Sequence, residues 1–421
     1  MIAAGYTPTG RRWVEQASHR ARLLAEAEAL LDFYQFTAID PAGGFFELDD
    51  DGRPLRVGAA SAPPPGKGLH VTTRMVHCFS IAWLMGRPGA DRLIDHGMRF
   101  LWQGHRDPTH GGYFWVAGHD GPVDPTKQAY GHAFVLLAAA SAKVAGHPDA
   151  DRLLADVTAV LADRFWEERH GAAAEAFTPD WQPLGPYRGQ NANMHLTEAL
   201  MAAFEATDES TYLEKAERIA DLLIRRITGP NGWRLPEHFD AEWRIDWEYD
   251  GNPMFRPYGT TPGHWLEWSR LLLQLWELGG RRLDWLPDAA RNLFRQAVQD
   301  AWDPRTGGFY YTLDWQGRPR VRDRYWWPVT EAIGAAAFLG AIDRDPFHEG
   351  WYRRLWSWAA DHLIDRERGG WRHQLDDDLL PTTGPFFGKP DLYHAFQACL
   401  IPLLPTTGSI TRGLVTEGLH L

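Results

Sequence analysis

The sequence predicts an all-α chain folded as an (α/α)6 barrel, with short β-hairpins at one mouth, and three observations lead there. A Gly-Gly-aromatic turn recurs along the chain. Each copy follows an amphipathic stretch of mixed charge and precedes a stretch that is apolar over most of its circumference. The apolar stretches begin with similar residues, a histidine prominent among them.

The clearest copies of the turn are DPAGGFFELDDDGRPL from Asp40, DPTHGGYFWVAGHDGPV from Asp107, DPRTGGFYYTLDWQGRP from Asp303 and DRERGGWRHQLDDDLLP from Asp365. Weaker copies begin at Trp166 and Ile227, giving about six units spaced roughly 60 to 75 residues apart. Each reads as a hairpin: Gly-Gly permits the tight backbone and aromatics alternate after it. The amphipathic helices are expected near 11–33, 90–103, 150–166, 210–227, 285–302 and 350–364. The apolar helices that follow, such as AFVLLAAASAKVAG after His132, should be buried on nearly every side. Six outer and six inner helices in alternation close into a ring, and the hairpins then cluster where the inner helices begin.

Those beginnings read TRMVHCFS at Thr73, QAYGHAFV at Gln128, NANMHLTEA at Asn191, TPGHWLEW at Thr261, YWWPVTEA at Tyr325 and DLYHAFQA at Asp391. Pro262 suits the first turn of a helix, because a missing N–H costs nothing there. His264 then falls in that turn with Glu267 three residues on, so an imidazole and a carboxylate share one face. His77, His132, His195 and His394 occupy corresponding places, Glu198 and Gln397 follow two of them by three residues, and Glu331 lies in the same register behind Trp326 and Trp327. One histidine in a helix start needs no function; five converging on a mouth are harder to dismiss as structural, and a neutral imidazole such as His264 is able to act as a base. His77 and His132, with no carboxylate following, are expected to brace hairpin backbone. The segment 235–258 is long for a connection inside a compact domain and is expected to form a lid or side wall, its acidic residues solvated.

The composition narrows the partners. A formal net charge of −12 with interspersed signs and no basic block argues against nucleic acid and anionic membrane surfaces. Cys78 and Cys399 lie in apolar helical patterns and read as buried thiols rather than a disulfide or metal framework. The beginning, MIAAGYTPTGRRWVEQ, lacks a continuous apolar core, and no segment is long and apolar enough for a membrane span, so the cytoplasm is the expected compartment. The chain reads as one barrel domain over 1–405 with a polar, Gly-containing tail over 406–421, acting as a monomer or homodimer. No phosphate-cradling loop and no convincing metal cage is present, so neither cofactor nor metal is expected.

Taken together, FRPYGTTPGHWLEWSRLL, NANMHLTEA, TRMVHCFS and KPDLYHAFQA resemble the N-acylglucosamine 2-epimerase superfamily. They are most similar to its aldose–ketose isomerase branch, which includes mannose and sulfoquinovose isomerases. The likeness runs from about Arg11 to Leu404 and implies the same (α/α)6 barrel. It also implies a metal-independent enzyme that interconverts D-mannose and D-fructose, with D-lyxose and D-xylulose as a further pair, by histidine acid/base transfer through an enediol. By match to the family's motifs, His264 and His394 would be the acid/base catalysts, and Arg74, Tyr130, Asn191, His195, Arg256, Glu267, Trp327 and Glu331 would form the sugar pocket. The alternatives are a sugar 2-epimerase using the same two imidazoles and a non-catalytic sugar-binding protein. An inverting glycoside hydrolase needs two carboxyl groups about 6.5 to 9.5 Å apart, which a histidine-rich mouth does not suit.

Overall fold

The computed structural model describes residues 10–55, 66–404 and 408–417. Most of the stretch MIAAGYTPTGRRWVEQ and parts of the 406–421 tail lie outside the described residues. Six outer helices alternate with six inner ones. The outer set is α1 (Ala17–Gln35), α3 (Ala90–Phe100), α5 (Ala150–Val160), α7 (Ser210–Ala220), α9 (Trp285–Asp300) and α11 (Pro346–His362). The inner set is α2 (Leu69–Leu84), α4 (Ala129–Val144), α6 (Gln190–Thr207), α8 (Pro262–Leu278), α10 (Trp326–Asp343) and α12 (Tyr393–Leu400). Three outer helices, α3, α5 and α7, are prolonged by a wider π-helical turn at Leu101–His105, Leu161–Phe165 and Asp221–Thr228.

The two classes differ in burial as their patterns require. Helix α3 buries Leu93, Ile94, Gly97 and Met98 and exposes Asp91, Arg92, Asp95 and Arg99. Helix α4 is buried at every position from Ala129 to Ala142, and α10 from Trp326 to Gly340. Each inner helix packs on the next, and α12 returns against α2 to close the ring. Helix α11 begins at Pro346, earlier than expected, because Asp345 accepts a hydrogen bond from the Phe347 N–H and Pro346 fits the first turn. Helix α2 begins at Leu69, four residues before the expected Thr73.

The hairpins are laced to one another. The residues entering each inner helix pair antiparallel with the hairpin of the next unit: Lys67–Gly68 with Val116–Ala117, Lys127–Gln128 with Ala176–Phe177, Arg188–Gly189 with His238–Phe239, and Arg324–Tyr325 with Gln374–Leu375. Single bridges at Thr260–Leu313 and Leu48–Lys389 complete the circuit. In the four clear copies both glycines of the Gly-Gly turn have positive φ, from +65° to +128°, which a side chain would oppose. The aspartate opening each of these copies binds the cation that enters an inner helix: Asp40 to Lys67 at 2.8 Å, and Asp107 to Lys127, Asp303 to Arg324 and Asp365 to Lys389 at 2.9 Å.

Ile410–Glu417 forms a helix, α13, that buries Ile410, Thr411 and Leu414 and packs on α2 and α4. No helix among the described residues is long and apolar enough to cross a membrane.

Candidate active site

The hairpin ring surrounds a cavity of about 360 Å³, within the range small-molecule sites occupy. The second residue of five inner helices lines it: His70, Tyr130, Asn191, Trp327 and His394. His264 is third in α8, since Pro262 takes the first position. Of the ten residues singled out in the sequence, eight line this cavity: Arg74, Tyr130, Asn191, His195, His264, Glu267, Trp327 and His394. Glu331 stands directly behind His394. Arg256 faces elsewhere: it donates to Glu175 Oε1 at 3.0 Å and lies over the Tyr187 ring, while its neighbours Met254 and Phe255 form the cavity wall.

The two histidines are held alike. His264 Nδ1 is 2.9 Å from Glu237 Oε2, and His394 Nδ1 is 2.8 Å from Glu331 Oε1. Both carboxylates are buried, and among the described residues neither Nε2 has a hydrogen-bond partner. A carboxylate on Nδ1 fixes the tautomer that carries its proton there, leaving Nε2 as the basic atom. Trp327 lies beside both rings, its centroid 5.0 Å from that of His264 and 5.9 Å from that of His394.

Burial holds His394 below the usual imidazole range, against the pull of Glu331. Burial alone would raise Glu331; the Arg270 guanidinium, 3.0 Å away, and His394 override it and keep Glu331 ionised. Glu267 has the opposite balance. It is 1% exposed, neither oxygen has a hydrogen-bond partner among the described residues, and burial with the nearby Glu331 charge pushes its carboxyl well above the ordinary range. Glu267 is therefore a neutral acid at the cavity wall, able to donate a hydrogen bond.

Arg74 Nη1 donates to Asp391 Oδ2 at 3.0 Å and Nη2 to the Tyr130 hydroxyl at 2.9 Å. Asp391 also accepts from the Tyr393 N–H at 3.0 Å, so the aspartate that starts α12 ties Arg74 to the helix carrying His394. Burial lowers His195 to about 4, and its Nδ1 lies 3.6 Å from Glu267 Oε1. His195, Glu198 and Glu267 bring ligand-type atoms within 4.8 Å of one another, yet Arg270 is 3.3 Å from Glu198 and 3.8 Å from Glu267 and supplies the positive charge there.

His132 braces a hairpin as expected: its Nε2 accepts from the Tyr113 N–H at 3.0 Å and its Nδ1 lies 2.7 Å from Gln128 O. His77 points away from the mouth and pairs with Ser141 Oγ at 2.7 Å.

Three groups at the site escape the sequence patterns. Glu237, expected to be solvated, is buried because the strand at His238–Phe239 turns it inward, where it also accepts from Gln190 Nε2 at 2.8 Å and the Thr261 N–H at 3.2 Å. His70, not His77, is the mouth residue of α2, stacked on Trp115 with centroids 5.0 Å apart. Glu47, on the first hairpin, lines the cavity, and burial raises its carboxyl to about 7, with Asp391 adding to the rise and Lys67 opposing it.

A family model described as N-acylglucosamine 2-epimerase (GlcNAc 2-epimerase) matches residues 43–398. The chain is similar to a D-mannose isomerase from Thermobifida fusca, with 45% identity over 414 residues that cover 96% of this chain and 99% of that one. Among solved structures it is similar to a D-mannose isomerase, at a TM-score of 0.83 and 34% identity, covering 91% of this chain and 97% of that one. It is also similar to cellobiose 2-epimerase from Spirochaeta thermophila, at a TM-score of 0.81 and 27% identity, covering 95% and 97%. A family match across most of the barrel, over the same helices that carry the paired histidines, settles the assignment: the chain belongs to the N-acylglucosamine 2-epimerase family.

Proposed function

We propose that this chain is an aldose–ketose isomerase that interconverts D-mannose and D-fructose without a metal ion. The observation that carries the reading is the pair of imidazoles on one cavity, each anchored at Nδ1 by a buried carboxylate. Moving the carbonyl from C1 to C2 requires taking the proton from C2 of the open-chain aldose, passing through an enediol, and returning a proton to C1. His394, kept neutral by burial, is the base for that proton. His264 takes the O1 hydroxyl proton at Nε2 and gives it to the ring oxygen, which opens the sugar, and then moves the proton between O1 and O2. Arg74 and the neutral Glu267 donate to oxygens on which negative charge develops. Trp327 offers a flat apolar face to the sugar. The similarity to D-mannose isomerases over nearly the whole chain supports the substrate.

The likeness to a cellobiose 2-epimerase supports a second reading, in which the two imidazoles work on opposite faces of C2. Incubation with D-mannose in deuterated water, followed by NMR, separates them. Deuterium-labelled fructose is the expected product; glucose alone would make the chain an epimerase, and binding with no exchange at C2 in any aldose would make it a sugar-binding protein. Because Arg270 already pairs with Glu198 and the neutral Glu267 adds no charge, dialysis against a chelator should leave turnover within about twofold. Loss of turnover restored by a divalent ion would contradict this.

A further inference from the structure

Below the two histidines, three carboxyl groups converge on one guanidinium. Arg270 is buried; its Nε donates to Glu331 Oε2 at 3.0 Å, and its Nη2 lies 3.3 Å from Glu198 Oε1 and 3.8 Å from Glu267 Oε1. Its remaining partner is Gln274, one turn further along α8, whose Oε1 accepts from Nη1 at 3.0 Å. Gln274 spends its amide on the end of the chain: Nε2 donates to Gly408 O at 2.7 Å. The next residue is fastened too, the Ser409 N–H donating to Glu205 Oε2 at 2.6 Å. Gly408 has φ +136°, and a Cβ there would collide with the Glu205 carboxylate, so glycine is what lets the carbonyl reach Gln274. Ser409 and Ile410 share the walls of a chamber of about 20 Å³ with His77, Glu198, Arg270 and Gln274, immediately under the charge network. Helix α13 then covers this end of the barrel.

We propose that the segment Gly408–Glu417 is a positioning element of the active site, acting through Gln274 on Arg270 and through Arg270 on the Glu331 carboxylate that orients His394. This rests on the isomerase reading above. A guanidinium shared by two carboxylates and the neutral Glu267 has several near-equivalent poses, and the amide acceptor among its partners, held by Gly408, selects the pose in which Nε faces Glu331. Released, Arg270 settles toward the Glu198 carboxylate, and His394 loses its fixed orientation. Small misplacements of a catalytic group lower the rate of the chemical step while the hydroxyl contacts that bind sugar remain.

The test compares Gln274→Leu, a chain ending at Leu404, and both together, by steady-state kinetics on D-mannose normalised to folded protein. Each single change should lower kcat about tenfold with KM within about twofold, and the double variant should be no worse than the worse single, because both cut the same tether. If the shortened chain fails to fold, Ser409→Pro, which removes the N–H fastened to Glu205, takes its place. A folded Gln274→Leu enzyme with kcat within about twofold of the unaltered protein overturns the proposal, as do losses that add in the double variant or appear only in KM. An unaltered protein that isomerises no aldose would instead overturn the function reading, and this inference with it.

Discussion

His264 and His394 make the same arrangement twice, an imidazole near a helix start with its Nδ1 on a buried carboxylate, Glu237 from the hairpin of its own unit and Glu331 from the preceding inner helix. The carboxylates were not equally legible. Glu331 stands in the register of the histidine-containing helix starts, so the pattern exposes it; Glu237 sits among Asp240, Glu242 and Asp246, and nothing in the spacing says which acid turns inward. Strand pairing decides that, through contacts distant in sequence. His70 was missed for a related reason, since α2 starts a turn before the point the histidine alignment suggests. Arg256 was legible only as a loop arginine, and its pairing with Glu175 depends on a residue 81 positions away. At this scale Glu237→Gln is the informative change. It removes the charge that holds the His264 tautomer, and kcat should fall on the order of 100-fold with a smaller change in KM. Turnover within about twofold of the unaltered enzyme would return Glu237 to a purely structural role.

The helices were the most legible elements, because an apolar stripe and an all-apolar circumference are local properties of the chain. The alternation of outer and inner helices follows from them, and so does the barrel. The lacing of the hairpins was not legible: short strands pair across units, and a two-residue strand leaves no periodicity to read. The repeated aspartate at the start of each Gly-Gly turn shows its purpose only once its partner is seen. Asp303 and Arg324 are both fully buried, and removing the aspartate leaves Arg324 with only the partly exposed Asp377, 3.3 Å away, as a counter-charge. Asp303→Ala should therefore cost about 3 to 5 kcal/mol of stability, read from the urea midpoint. A loss below about 1 kcal/mol would mean the ring of hairpins does not depend on these latches.

The whole molecule carries an unusual load of buried imidazole. Burial lowers His70 and His373 to about 3, and His19, His77, His105, His132 and His195 to about 4. Between pH 6.5 and about 4 the unfolded chain takes up protons that these folded imidazoles refuse, so their contribution to stability is present above the ordinary histidine pKa and is lost as pH falls. Glu47 and Glu205, raised to about 7 by burial, and Glu26 and Glu267, also raised, favour the folded state on acidification. Seven imidazoles outweigh four carboxyls, and Tm should fall as pH drops from 6.5 to 4. A flat or rising Tm across that window would contradict the assignment of these histidines as neutral. The docking of the chain end was invisible at this scale in the sequence, since a polar, glycine-containing stretch carries too weak a pattern to separate a short packed helix from a loose tail.

The central claim is that His394 removes the C2 proton, and the most direct measurement follows deuterium at C2 of D-mannose by NMR in deuterated water with His394→Asn. The account predicts that C2 exchange and fructose formation both stop while sugar binding survives, because the other hydroxyl contacts of the cavity remain. A His394→Asn enzyme that still exchanges the C2 proton at a rate near that of the unaltered protein would contradict it.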